Sequence, residues 1–104
     1  METQKRGFEK LTDEQNKEFQ KLFDEFDRKV SRKFNNVSCK ITLKEHEKGG
    51  SKRYIIEALI QTKGKRIEAQ EEDWDFKKAL HILFKKLLEE IEHKFHFSDQ
   101  NRKS

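Results

Sequence analysis

The stretch from Asp73 to Phe95 sets the strongest limit on what this chain can fold into. Phe76, Leu80, Leu83, Phe84, Leu87, Ile91 and Phe95 recur at offsets of 0, 4, 7, 8, 11, 15 and 19, which is one face of an α-helix. Lys78, Lys85, Glu89 and Glu92 fall on the opposite side. Such a helix, about 33 Å long at ~1.5 Å per residue, cannot hide seven large apolar side chains by itself. A broad, flat surface must lie against it, and the preceding residues supply one.

Residues 1–10 are polar and mixed, with almost no strand character, and are expected to form a flexible N-terminal segment. A single domain is expected over residues 11–96, followed by a polar tail over 97–104. Thr12-Asp13-Glu14-Gln15 reads as a capping box, in which each end of the tetrapeptide satisfies a backbone N–H of the other. Phe19, Leu22, Phe23, Phe26, Val30 and Phe34 follow at helical spacing, and Asn35-Asn36 ends the helix, since Asn tolerates the left-handed conformation of a C-cap.

From Val37 the period changes to two. Val37, Cys39, Ile41 and Leu43 alternate with Ser38, Lys40, Thr42 and Lys44, which predicts a half-buried strand. Glu45 to Lys52 reads as a charged loop around Gly49-Gly50. A second strand runs from Tyr54 to Gln61, and Lys63-Gly64 makes a two-residue hairpin turn. Pairing about that turn sets Ile60 opposite Ile67 and Ala58 opposite Ala69, apolar against apolar. The third strand, Arg66 to Gln70, is short, and Glu71-Glu72-Asp73 places acids at the positive end of the long helix. The expected fold is therefore α+β, in the order α-β-β-β-α: a three-stranded antiparallel sheet with two helices on one face.

Charged residues make up 42% of the chain and the hydrophobic set only 32%, yet nine Phe are present, which separates it from disordered chains poor in aromatics. The net charge is +4, and the excess sits on residues 35–70, where eight Lys/Arg meet four Asp/Glu. That bias points to a polyanionic partner. One cysteine, Cys39, rules out an internal disulfide framework and suits a reducing compartment. No apolar leader or membrane-length run occurs, so a soluble cytoplasmic protein without membrane contact is expected.

No phosphate-binding Gly loop, nucleophile elbow or paired CxxC motif appears, so an enzyme is not expected, and neither is a cofactor. Cys39 lies on the inward face of a strand, where a small buried hydrophobe is the simpler reading. His93 and His96 with Glu89 and Glu92 lack the spacing and second ligand set of a metal site.

The basic residues are the better candidates. Lys40, Lys44, Arg53 and Arg66 are expected to point from the sheet away from the helices. Lys48 and Lys52 belong to the Gly-Gly loop, Lys63 and Lys65 to the hairpin turn, and Lys77 and Lys78 to the start of the long helix. Arg28 and Arg32 share an outer arc of the first helix with Lys17 and Lys21, although i,i+4 pairs such as Asp24–Arg28 and Lys21–Glu25 also serve simply to solvate that helix. Ile55 and Leu59 fall on the open sheet face. Trp74 is expected to pack beside the helix start.

The run YIIEALIQTKGKRIEAQEEDWDFKKALHILFKKLLEEIEHKF resembles the ribosome hibernation-promoting and ribosome-associated inhibitor family. The family's apolar-Glu-Ala strand, Gly turn, Glu-Ala strand and acidic helix start correspond to Ile56-Glu57-Ala58, Gly64, Glu68-Ala69 and Glu71 to Trp74. Its closing segment corresponds to Lys86-Leu87, Ile91 and His93-Lys94, which adds Lys86 and Lys94 to the RNA-contact candidates. Three departures stand out. METQKRGF lacks the pattern of the family's first strand, Ala79-Leu80-His81 replaces Ala-x-Asp, and Glu89, Glu90 and Glu92 replace basic or amide residues. The resemblance implies a fold like that of double-stranded-RNA-binding domains. It also implies a role on the small ribosomal subunit, where ribosomal RNA is bound in the decoding region and idle ribosomes are silenced or protected.

Two other functions fit the same frame. A stand-alone double-stranded-RNA-binding module would use the first helix, the Lys44–Arg53 loop and Lys77-Lys78. A protein-interaction domain would form a homodimer through an open edge on the Val37–Leu43 strand.

Overall fold

In a computed structural model, which describes residues 1–95, the chain runs β1 (Glu2–Arg6), α1 (Asp13–Ser31), β2 (Ser38–Lys48), β3 (Ser51–Thr62), β4 (Lys65–Asp73) and α2 (Phe76–Phe95). The four strands form one sheet in the order β1-β2-β3-β4, with β1 parallel to β2 and the other neighbours antiparallel.

The capping box forms as its sequence requires. Gln15 N donates to Thr12 Oγ1 at 3.1 Å, and Thr12 N donates to Gln15 Oε1 at 3.0 Å. The buried stripe of α1 is Phe19, Phe23, Phe26 and Val30, and that of α2 is Phe76, Ala79, Leu80, Leu83, Phe84, Leu87 and Ile91. The stripes meet at Phe84, whose ring lies 5.0 Å from Phe26 and 6.3 Å from both Phe19 and Phe23, centroid to centroid. The two helices run in the same direction. Gln15 at the start of α1 donates to the Tyr54 hydroxyl at 3.0 Å, and the Tyr54 ring lies edge-on to Phe76 at the start of α2. At the other end Phe34 contacts Phe95 at 4.6 Å. Beneath the helices Ile41, Ile56, Ile60 and Ile67 are fully buried, and the hairpin register pairs Ile60 with Ile67 and Ala58 with Ala69, as the pattern predicts.

Four expectations change. First, the sheet has four strands and is mixed, because residues 2–6 form β1 on the outer side of β2 rather than a flexible segment. Strand pairing is made by backbone groups, so it needs no apolar alternation. Side chains only anchor the ends: Met1 and Phe8 pack on the core, and the Lys5 ammonium lies 5.5 Å from the Phe8 ring centroid and 5.4 Å from that of Phe19. Gly7, at φ +81°, closes the strand where a Cβ would sit 2.0 Å from the Leu43 carbonyl oxygen. The β2 edge expected to accept a second chain is thus occupied by the chain's own N-terminus.

Second, Glu45–Lys48 and Ser51–Lys52 are strand rather than loop, joined by a tight turn at Gly49-Gly50 with both glycines at positive φ. Third, β4 is nine residues long because its ladder with β3 continues to Tyr54–Asp73. Fourth, that continuation delays α2 to Phe76. Asp75 is its cap, the Oδ1 accepting from Lys78 N at 3.2 Å, while Asp73 Oδ1 accepts from Asp75 N at 2.9 Å. The expected tail over 97–104 lies outside the described residues.

Candidate nucleic-acid interface

Strand alternation gives the sheet two unlike faces. The helix side carries Cys39, Ile41, Leu43, Ile56, Ala58, Ile60 and Ile67. The register places Arg6, Lys40, Lys44, Lys48, Arg53 and Arg66 on the open side, where they meet Glu2, Glu57, Glu68 and Glu72: six Lys/Arg against four Glu. His46, Ile55 and Leu59 share this face. Lys40, Lys44, Arg53 and Arg66 therefore stand where their pattern predicts.

Beyond this platform the sheet narrows to a ribbon. β1 stops opposite Thr42 and β4 stops opposite Tyr54, so among the described residues His46 to Arg53 pair only with each other. Lys48 flanks the ribbon's Gly-Gly tip on the open side, and Lys52 lies on the back, 3.9 Å from Glu45.

Three of the six open-face cations have acidic neighbours. Lys44 Nζ lies 3.7 Å from Glu57 and Arg66 lies 3.1 Å from Glu68, while Arg53 pairs with Glu72 and covers Trp74 at 5.1 Å from the ring centroid. These side chains are about half exposed, so each pair contributes ~0–1 kcal/mol and yields readily to a phosphate. Lys40, Lys48, Arg6, Lys77 and Lys78 make no ion pair among the described residues. Trp74 is 55% exposed, open to solvent rather than packed beside the helix start.

The remaining candidates sit elsewhere. Arg28 is exposed on α1 and Arg32 at its C-cap, and Arg32 borders the groove between the two helices along with Lys33, Lys85, Glu89 and Glu92. Lys63 lies 5.6 Å from the Phe34 ring centroid and Lys65 5.0 Å from that of Phe95. Three ammonium groups turn back on the fold: Lys65 donates to Lys94 O at 2.9 Å, Lys86 donates to Gln70 O at 3.2 Å and pairs with Glu71, and Lys94 donates to Arg66 O at 2.8 Å. The candidates thus fall into an open-face and ribbon group, a pair at the start of α2, a group around the β3–β4 turn and two arginines at the end of α1. Arg6 and His46 join the open face without any signal in the sequence pattern. Arg6 is placed there only by the pairing of β1, and His46 only because the expected loop is strand.

Cys39 is buried, and burial, helped by the nearby Asp27 carboxylate, pushes its thiol pKa up to about 12. At neutral pH it is a protonated, inert side chain. His96, one of the four groups weighed for a metal, lies outside the described residues, and no cluster of three or more ligand-type side chains occurs among those described. No described helix is long and apolar enough to cross a membrane.

Sheet, ribbon and paired helices define a small α+β domain with a basic open face. Its residues 2–95 match the model of the Sigma 54 modulation protein / S30EA ribosomal protein family, and the chain belongs to that family, the one its Tyr54–Phe95 run resembles. Two solved structures share the fold. A ribosomal subunit interface protein from Coxiella burnetii is 20% identical, with TM-score 0.62, over 92% of this chain and 98% of that one. The N-terminal domain of Thermus thermophilus Protein Y is 18% identical, with TM-score 0.50, over 84% of this chain and 96% of that one. No curated protein matches.

Proposed function

We propose that this protein is a non-enzymatic, cytoplasmic ribosome-binding factor that holds ribosomal RNA of the small subunit and silences or protects idle ribosomes. Membership of the S30EA family over residues 2–95 supports a ribosomal partner, and the fold is shared with a protein named as a ribosomal subunit interface protein. The observation that carries the RNA-binding role is the open sheet face continued into the ribbon. There Lys40 and Lys48 have no ion pair among the described residues, and the ion pairs of Lys44, Arg53 and Arg66 are all exposed. A surface that tracks phosphates and reads shape suits folded ribosomal RNA, and binding falls steeply with salt. Sucrose-gradient sedimentation with purified subunits is the test. At low salt the protein is expected with the small subunit and at high salt at the top of the gradient. Recovery only in subunit-free fractions at low salt would sink the reading.

A second reading rests on one further placement. The first turn of α1, the ribbon base and the first turn of α2 share one end of the molecule, joined through Gln15, Tyr54 and Phe76. Those are the three elements a double-stranded-RNA module would apply to a duplex. Gel shifts separate the two functions: bare duplex RNA bound as tightly as small subunits favours the module.

A further inference from the structure

Among the described residues β4 is the last strand of the sheet, and one of its edges has no strand partner there. The two-residue turn, with Lys63 at φ 50° and Gly64 at φ 73°, makes Thr62 and Lys65 a hydrogen-bonded pair. By alternation, the N–H and C=O groups of Arg66, Glu68, Gln70 and Glu72 then point outward. Two of those four carbonyls are occupied by lysines reaching over from α2. Lys94 donates to Arg66 O at 2.8 Å and Lys86 to Gln70 O at 3.2 Å. Both lysines are fixed in place, Lys86 by Glu71, and Lys94 through its own carbonyl, which accepts from Lys65 at 2.9 Å.

Charged side chains on an edge strand are a known protection against unwanted strand pairing. Here the ammonium groups occupy the acceptors that a new strand would use. The sequence of β4 also shows what that strand would be. If a second copy is laid antiparallel about a two-fold axis at Ala69, Arg66 of each copy faces Glu72 of the other, Lys65 faces Asp73 and Glu68 faces Gln70. Opposite charges meet, no like charges do, and the outward-pointing residues form the hydrogen-bonded pairs. The pairing is isologous, so it closes as a dimer with one continuous sheet.

We infer that the outer edge of β4 is a self-pairing surface for a second copy of this chain, and that Lys86 and Lys94 keep it shut in the monomer. The two lysines are edge caps rather than RNA contacts, and this assignment does not depend on the ribosomal reading.

Sedimentation velocity over a concentration series tests it on three proteins: the unchanged chain, Lys86→Met with Lys94→Met, and that double variant carrying Glu68→Pro. Proline at 68 removes an outward N–H without touching the ladder to β3. The unchanged chain is expected to be monomeric. The double variant should dimerise with an apparent Kd at least about tenfold lower, and the proline should restore the monomer. Circular dichroism checks that each protein is folded. Should the double variant unfold, each single lysine variant is read in the same way, with an expected shift of about threefold. A folded double variant, or folded single variants, as monomeric as the unchanged chain would overturn the inference. So would a dimer that survives Glu68→Pro, because it would lie on another edge.

Discussion

At Cys39 a side chain that could have been a nucleophile is silenced by its place on the helix side of β2, where it is 3% exposed and paired in register with Ile60. Burial first, and the Asp27 carboxylate second, push the pKa up to about 12, against 9.0 for a free thiol. The folded state therefore resists ionisation that the unfolded chain accepts. Below pH 9 the group leaves stability unchanged. Between pH 9 and about 12 only the unfolded chain loses the proton, so stability falls with rising pH by up to about 1.4 kcal/mol per unit from this group. Denaturant titrations of the unchanged chain and Cys39→Ala should diverge above pH 9, with the unchanged chain falling faster. Parallel curves would contradict the assignment. At Gly7 the constraint is steric, since positive φ and the Leu43 carbonyl exclude any side chain.

At the scale of elements, α2 shows a contest between local signals. Glu71-Glu72-Asp73 looks like a helix start because acids suit the positive end of the dipole. The β3–β4 ladder holds those residues in strand, since the rungs at Glu71 and Asp73 satisfy backbone groups that a helix N-terminus would leave open. The cap passes to Asp75. Asp75→Ala is expected to cost about 1 kcal/mol in urea unfolding, whereas Glu72→Ala, which removes only an exposed ion pair, should cost less than about half of that. The reverse order would mean that the helix begins earlier. β1 carries the opposite lesson: a strand with one half-buried polar residue, Thr3, is held by pairing to β2, closure at Gly7 and anchors at Met1 and Phe8.

At the scale of the molecule, the distribution of charge decides function. If the open face and ribbon bind ribosomal RNA, Lys40→Ala with Lys48→Ala should flatten the slope of log affinity against log salt by about 1.5, at roughly 0.7–0.9 for each phosphate no longer neutralised. Lys86→Met with Lys94→Met, compared as monomer, should leave that slope unchanged. Filter binding to small subunits between low and moderate salt measures both, and equal slopes in all three proteins would remove the open face from the interface.

Both helices, their buried stripes, the capping box and the β3–β4 register are legible in the order of residues alone. Each of these is set by side chains a few residues apart, whose spacing selects a period or a turn. That residues 2–6 are a strand, that the expected loop is a ribbon, and that lysines alike in sequence part company, some facing solvent and two capping an edge, emerges only in the packed fold. Those outcomes rest on backbone hydrogen bonds and on what lies across from a side chain, and neither leaves a periodic mark in the chain.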